Sequence, residues 1–265
     1  MKTILVTGAT DGIGLETAKA LAAKGHKLLI HGRSAEKINK TVKLLEGLET
    51  RSIIESYQAD LSDFDDTRQL IADVRADHSS LDIIINNAGV FKTNAPLTNT
   101  GMDVRFCVNT FSPYMLTKGL MSLLAENGRV INLSSAAQAP VNLKALRGEV
   151  NTNDAFQAYA QSKLAMTIWS QELARELSPK QVIVAVNPGS LLASKMVKEG
   201  FGMAGNDIAI GADILVRAAL SEDFSDANGK YFDNDIKQFI LPHSDAQNQQ
   251  LCDQIMAVMG EVANV

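Results

Sequence analysis

The amino-acid sequence predicts an α/β fold: one doubly wound parallel sheet of about seven strands, with helices on both faces, in a single domain. Two observations predict it. Short apolar runs alternate along the whole chain with longer segments of helical period, as in repeated strand–helix–strand units. Several of those runs are rich in Val, Ile and Leu without polar alternation, as strands buried on both faces are. The 265 residues suit one large domain, and no repeat, low-complexity tract or linker divides them.

The first strand, Lys2 to Thr7, runs straight into Thr7-Gly8-Ala9-Thr10-Asp11-Gly12-Ile13-Gly14. Leu15, Ala18, Leu21 and Ala22 then repeat at helical spacing. Glycines here let the backbone turn tightly and approach a pyrophosphate, which the helix N-terminus favours. Gly8, Thr10, Asp11, Gly12, Ile13 and Gly14 are therefore candidate cofactor-binding residues. The Gly-x-x-x-Gly-x-Gly spacing differs from the commonest dinucleotide fingerprint, and the plain alternative is an ordinary strand–helix turn. The second strand, Lys27 to Ile30, ends at His31-Gly32-Arg33-Ser34. No acidic residue stands there for the ribose 2′-hydroxyl of NAD. Arg33 instead places a guanidinium where a 2′-phosphate would sit. NADP(H) is the expected preference, with NAD(H) left open because Asp11 is acidic.

Ser34 to Leu45 reads as a helix. Ile53 to Gln58 reads as the third strand, leading to Asp60-Leu61-Ser62. Ser62 or Asp63 can cap a helix through Ala76. Leu81 to Ile85, the fourth strand, closes in Asn86-Asn87-Ala88-Gly89, a polar turn that a flat ring and a ribose can approach. Met102 to Ala125 is a long helical stretch. Asn109 and Pro113 lie within it and predict a local departure from helix geometry, with freed backbone groups that can hold water. Arg129 to Leu133 is the fifth strand. Ser134-Ser135 follows at its C-terminal end, where open α/β sheets bind ligands.

Gln138 to Asn153 has no clear period and carries Lys144, Arg147 and Glu149, so an exposed connection is expected. Ala155 to Lys180 reads as a helix capped by Asn153 or Asp154 and stopped at Ser178-Pro179. Tyr159 and Lys163 fall one turn apart on one face. A phenol ionises near pH 10, and a nearby ammonium lowers that value, which makes the tyrosine a usable proton donor and acceptor. Gln181 to Val186 is the sixth strand, followed by Asn187-Pro188-Gly189-Ser190. Residues 190–206 mix Gly200, Gly202 and Gly205 with Met196, Val197, Phe201 and Met203, as a lid over a partly apolar substrate would. A helix from Ile208 to Leu220, a last short strand from Gly229 and a helix from Gln247 to Val262 complete the chain.

The net charge of −5 argues against nucleic acid or an anionic membrane as partner. Four histidines and two cysteines without ligand spacing argue against a metal site and for a reducing compartment. No apolar run approaches a membrane span. A cytoplasmic protein is expected.

Thr7-Gly8-x-x-x-Gly12-Ile13-Gly14, Asp60, Asn86-Asn87-Ala88-Gly89, Asn109, Ser135, Tyr159-x-x-x-Lys163 and Pro188-Gly189 occur in the order found in one family. Across nearly its whole length the chain resembles the short-chain dehydrogenase/reductase family. The long Ser135-to-Tyr159 connection, Gly229-Lys230-Tyr231-Phe232 and the tail helix are similar to its retinol-dehydrogenase-like branch, although the membrane anchor that some members carry is not expected here. The resemblance implies a Rossmann-type fold and a set of roles. Tyr159 would be the general acid or base. Lys163 would lower its pKa and hold the nicotinamide ribose. Ser135 would hydrogen-bond the substrate oxygen, and Asn109 would hold a water that relays protons towards Lys163. Asp60, Leu61, Asn87, Ala88, Gly89, Pro188, Gly189, Leu191 and Ser194 join the cofactor-binding set. Ala193 stands where the family often has threonine, with Ser194 next to it. The implied function is hydride transfer between NADP(H) and a small carbonyl or alcohol substrate. The alternative is a non-catalytic nucleotide sensor or scaffold on the same fold. Family members often pair through the helices carrying Asn109 and Tyr159, so a homodimer is an expectation that the long connection weakens.

Overall fold

The computed structural model describes residues 1–48, 50–193 and 205–264. Its described residues form one eight-stranded sheet: β1 (Thr3–Val6), β2 (Lys27–Gly32), β3 (Ile53–Gln58), β4 (Leu81–Asn86), β5 (Leu124–Leu133), β6 (Val182–Asn187), β7 (Tyr231–Asp233) and β8 (Gln238–Ile240). The spatial order is β3-β2-β1-β4-β5-β6-β7-β8. The pairings from β3 to β7 are parallel, and β8 runs antiparallel to β7. β8 exceeds the expected seven strands; its three residues are all exposed, and only pairing with β7 defines it.

The principal helices are α1 (Gly12–Ala23), α2 (Ala35–Glu46), α3 (Phe64–Asp77), α4 (Ser112–Leu120), α5 (Ala155–Leu173), α6 (Ala209–Leu220) and α7 (Gln249–Ala263). They pack on both faces. Ile4 and Val6 of β1 join Leu21 of α1 and Leu215 of α6 in one cluster, while Leu5 joins the cluster of α3, α4, α5 and α7 on the other. This alternation is why the strand is apolar throughout: each successive side chain enters a different core.

The strand order reverses beside β1, whose neighbours are β2 and β4. The C-terminal strand ends beside this reversal are where open sheets of this kind bind ligands. The glycine loop after β1 and the Asn87-Ala88 turn after β4 thus become neighbours, although 79 residues separate Gly8 from Asn87.

Three expected elements differ. The Met102-to-Ala125 stretch is a helical turn (Val104–Phe106), a π-helical turn (Cys107–Phe111), α4 and a 3-10 turn (Met121–Leu123), with β5 already begun at Leu124. Pro113 has no N–H to return to the Asn109 carbonyl, and the ladder widens there, with the Ser112 N–H bonding Cys107 O. α5 ends at Leu173, not at Ser178-Pro179, and passes into a 3-10 turn (Ala174–Glu176). Asn228 Nδ2 caps the Ala174 carbonyl at 2.9 Å, a tertiary stop that local sequence does not announce. The 138–153 connection is only partly exposed. It buries Val141, Ala145 and Leu146, forms a turn of helix at Leu143–Leu146, and donates the Asn142 N–H to Gln161 of α5 at 2.9 Å.

Candidate active site

Three chain segments meet around the glycine loop. Gly8 and Gly12 adopt left-handed φ of 64° and 56°, a region that side chains disfavour. A Cβ on Gly14 would lie 2.3 Å from Gly8 O and from Asn87 Nδ2, so the loop closes only over glycine. Asn87 Nδ2 donates to Thr7 O at 2.8 Å and Gly8 O at 3.1 Å, and Thr7 Oγ1 accepts the Asn87 and Ala88 N–H groups. Asp11 caps α1 by accepting the Gly12 N–H at 2.9 Å. The Ile13 and Gly14 N–H groups have no acceptor among the described residues. Unsatisfied donors at a helix N-terminus suit an anion such as a pyrophosphate, so these residues fit a dinucleotide.

Arg33 is exposed and, among the described residues, its guanidinium has no ion-pair partner. The acidic Asp11, which counted against NADP, has its carboxylate held by Lys37 at 3.1 Å. Thr10 lies over Gly32, where a Cβ would meet Thr10 Cγ2 at 2.7 Å. Asp60 is turned onto its own loop, accepting Ser62 N–H and O–H at 2.9 and 2.7 Å. The Leu61 side chain is core, which leaves only its backbone to face a ligand.

The chemical end lies around α5. Asp154 caps this helix by accepting the Phe156 and Gln157 N–H groups. Tyr159 and Lys163 share a face, with Lys163 Nζ 5.7 Å from the Tyr159 ring centroid. Lys163 is buried and donates to Leu133 O at 2.6 Å. Its desolvation brings the ammonium from 10.5 down to about 7. Tyr159, partly buried, differs from expectation. Burial pushes its phenol up, and a hydrogen bond with Ser135, not the Lys163 charge, opposes that rise. The ammonium is spent on a backbone carbonyl and is only partly ionised near neutral pH.

That burial makes a testable pH effect. Between about pH 7 and 10.5 folded Lys163 binds fewer protons than the unfolded chain does. Its cost is therefore largest below pH 7 and is relieved as pH rises. The cofactor-free protein should gain stability from pH 7 to about pH 9, and Lys163→Met should remove that gain. Urea midpoints read the effect; parallel pH curves for the two proteins would contradict it.

Asn109, at the centre of the π-helical turn, is fully buried. Its Oδ1 accepts the Val90 N–H at 2.8 Å, and its Nδ2 donates to Val90 O at 3.0 Å and Ser162 Oγ at 2.9 Å. The side chain is thus consumed in tying the Asn86–Val90 turn to α5. A water held by Asn109 would have to use its main-chain carbonyl, the group that Pro113 deprives of its usual donor.

Several residues of the site were not singled out in the sequence. Tyr231 Oη and Gln138 Nε2 both donate to Ser135 O, at 3.0 and 3.1 Å, and fix that loop from outside. The Pro188-Gly189 turn is held from β7 and beyond: Asp235 accepts from Asn187 Nδ2 and from the Ser190 N–H and O–H, and Asn234 Nδ2 donates to Pro188 O. Phe91 lies against Tyr159, with ring centroids 5.2 Å apart. Only the fold unites these groups; Tyr231 and Ser135 are 96 residues apart. Leu191 takes a left-handed φ of 53°. Ala193 and Asn206 pair across the base of the expected lid, with Ala193 N–H donating to Asn206 O at 2.6 Å. The lid residues Met196, Val197, Phe201 and Met203, and the cofactor candidate Ser194, lie outside the described residues.

The short chain dehydrogenase family model matches residues 2–203. The chain belongs to the short-chain dehydrogenase family. Within it, the chain falls in the retinol-dehydrogenase-like branch. It is 30% identical over 275 residues to retinol dehydrogenase 13 of Homo sapiens, covering 97% of this chain and 82% of that protein. It is 31% identical over 278 residues to retinol dehydrogenase 12 of Bos taurus, covering 100% of this chain and 87% of that one. A short chain dehydrogenase from Burkholderia cenocepacia, solved in complex with NADP, superposes with a TM-score of 0.69 at 29% identity, over 88% of this chain and 95% of that one. Short-chain dehydrogenases are oxidoreductases. No described helix of this member is long and apolar enough to cross a membrane.

Proposed function

We propose that this protein is an NADP(H)-dependent carbonyl reductase or alcohol dehydrogenase acting on a partly apolar small molecule. The observation that carries the reading is the convergence of Ser135, Tyr159 and Lys163 at the C-terminal end of β5, in a sheet whose β1 leads into the glycine loop. The bound nicotinamide supplies hydride chemistry; the chain's residues control the proton and the geometry. Tyr159 Oη, hydrogen-bonded to Ser135, delivers a proton to the substrate oxygen in reduction and takes it in oxidation. Ser135 orients that oxygen. Lys163, with a pKa of about 7, exchanges protons at neutral pH and holds the ribose. The Asn109 carbonyl holds a water on the path to Lys163. Phe91 beside Tyr159 and the exposed Phe156 supply the apolar wall. The test is NADPH and NADH consumption over a panel of aldehydes, ketones and quinones. Turnover with NADPH supports the reading; tight NADPH binding with no turnover across the panel would favour a nucleotide sensor.

Arg33 sets the preference for NADP(H), and Lys37 supports it by neutralising Asp11. The NADP in the Burkholderia relative supports the same preference. Arg33→Gln should raise KM for NADPH about tenfold, the loss of one charge-assisted contact, and leave KM for NADH nearly unchanged. Equal effects on both cofactors in steady-state kinetics would overturn the assignment.

The homodimer expected through the helices of Asn109 and Tyr159 is weakened further as a reading by the tail helix. α7 packs against α4, α5 and the turn of helix at Leu143–Leu146, which supports a protein that does not pair through those helices. Light scattering should therefore find no dimer that depends on this face: reversing the exposed charge of α7 by Glu261→Lys should leave the measured mass unchanged.

A further inference from the structure

The glycine loop is gripped from beneath by an imidazole with no part in the proposed chemistry. His31, the next-to-last residue of β2, is 3% exposed. Its Nδ1 lies 3.3 Å from the Gly8 N–H nitrogen, and its Nε2 lies 3.1 Å from Ala59 O. A backbone N–H can only donate, so Nδ1 must be the bare nitrogen. The ring proton is then on Nε2, which donates to the Ala59 carbonyl. Desolvation holds the imidazole neutral, with its pKa lowered to about 4. The backbone repeats the connection: Ala9 N–H donates to His31 O at 2.9 Å, and Ala59 N–H to Gly32 O at 3.2 Å. Gly8 is therefore held at both ends, its N–H by His31 and its carbonyl by Asn87. One side chain spans the loop of Gly8 to Gly14 and the β3 end that leads to Asp60, from the strand that leads to Arg33.

We propose that His31 is a positioning residue for the dinucleotide: its neutral ring fixes the glycine loop against the β3 end, so that the free N–H groups of α1 are already arrayed for the pyrophosphate. The proposal rests on the cofactor reading above. An apolar residue would leave the partly buried Gly8 N–H and the buried Ala59 carbonyl without these partners. The loop could then relax, and binding would have to order it again.

Two amides separate the two bonds, because the Asn amide reaches the Nδ1 position and the Gln amide the Nε2 position. His31→Asn keeps an acceptor for Gly8, His31→Gln keeps only a donor to Ala59, and His31→Leu keeps neither. Calorimetric Kd values for NADPH, melting temperatures of the free proteins and hydrogen exchange at the Gly8 amide are compared. Weakening of about tenfold is expected for His31→Gln and His31→Leu, against about threefold or less for His31→Asn. The Gly8 amide should stay protected only where the acceptor remains. Should His31→Leu fail to fold, the Asn and Gln variants decide. Equal Kd values for those two, or Kd changes that follow melting temperature alone, overturn the proposal. Wild-type protein that binds neither NADPH nor NADH overturns the cofactor reading itself, and His31's role with it.

Discussion

Tyr159→Phe is expected to lower kcat by about 10²–10⁴-fold, the usual contribution of a positioned general acid or base. NADPH affinity should change by no more than about threefold. The phenylalanine keeps the ring that packs on Phe91, at 5.2 Å between centroids, and so keeps the apolar wall. It removes only the oxygen that bonds Ser135. The loss should therefore appear in kcat and in kcat/KM together, the mark of an interaction made in the transition state. Steady-state initial rates with NADPH measure both quantities. Turnover within about tenfold of wild type would remove Tyr159 from the proton-transfer step, because water alone could not match a positioned phenol.

The second large effect is on stability. Arg105 and Asp103 form a bidentate ion pair buried to 3% and 4% exposure. Arg105 Nε donates to Asp103 Oδ1 at 2.8 Å, and a third donor reaches Phe91 O at 3.4 Å. Removing one member leaves the other as an uncompensated buried charge. Arg105→Met should therefore destabilise the protein by about 3–5 kcal/mol in urea denaturation. Arg105→Met combined with Asp103→Leu should recover much of that loss, since the cost comes from the orphaned carboxylate more than from the missing attraction. The pair also sets Phe91, and through it Tyr159, so the single variant should lose activity beyond its unfolded fraction. A change below about 1 kcal/mol would mean that solvent reaches Asp103 once the guanidinium is gone.

The strand–helix alternation and the glycine turn were legible in sequence because each depends on nearby residues. β3 runs from Ile53 to Gln58 as periodicity predicts, and Asp63 caps α3. The disturbed helix around Asn109 was legible for the same reason, since Pro113 acts on the carbonyl one turn back. The end of α5 was not. Asn228, 54 residues from Ala174, caps it ahead of the proline at position 179. β8 escaped notice because three exposed residues carry no buried face and hence no pattern.

The sequence by itself determined the strand–helix alternation, whose signals act over a turn or two of chain, and it offered Tyr159, Lys163 and Arg33 by spacing and position; the family and the choice of Ser135 came from the order of motifs along the whole chain. Only the tertiary structure decided the electrostatics and support of the site. Burial brings Lys163 to about 7 and turns its ammonium onto Leu133. Lys37 neutralises Asp11, Asn109 spends its amide on Val90 and Ser162, and His31 reaches both Gly8 and Ala59. The physical reason is the same throughout. Desolvation and hydrogen-bond partnership depend on which groups surround a side chain, and here those groups come from distant stretches of chain.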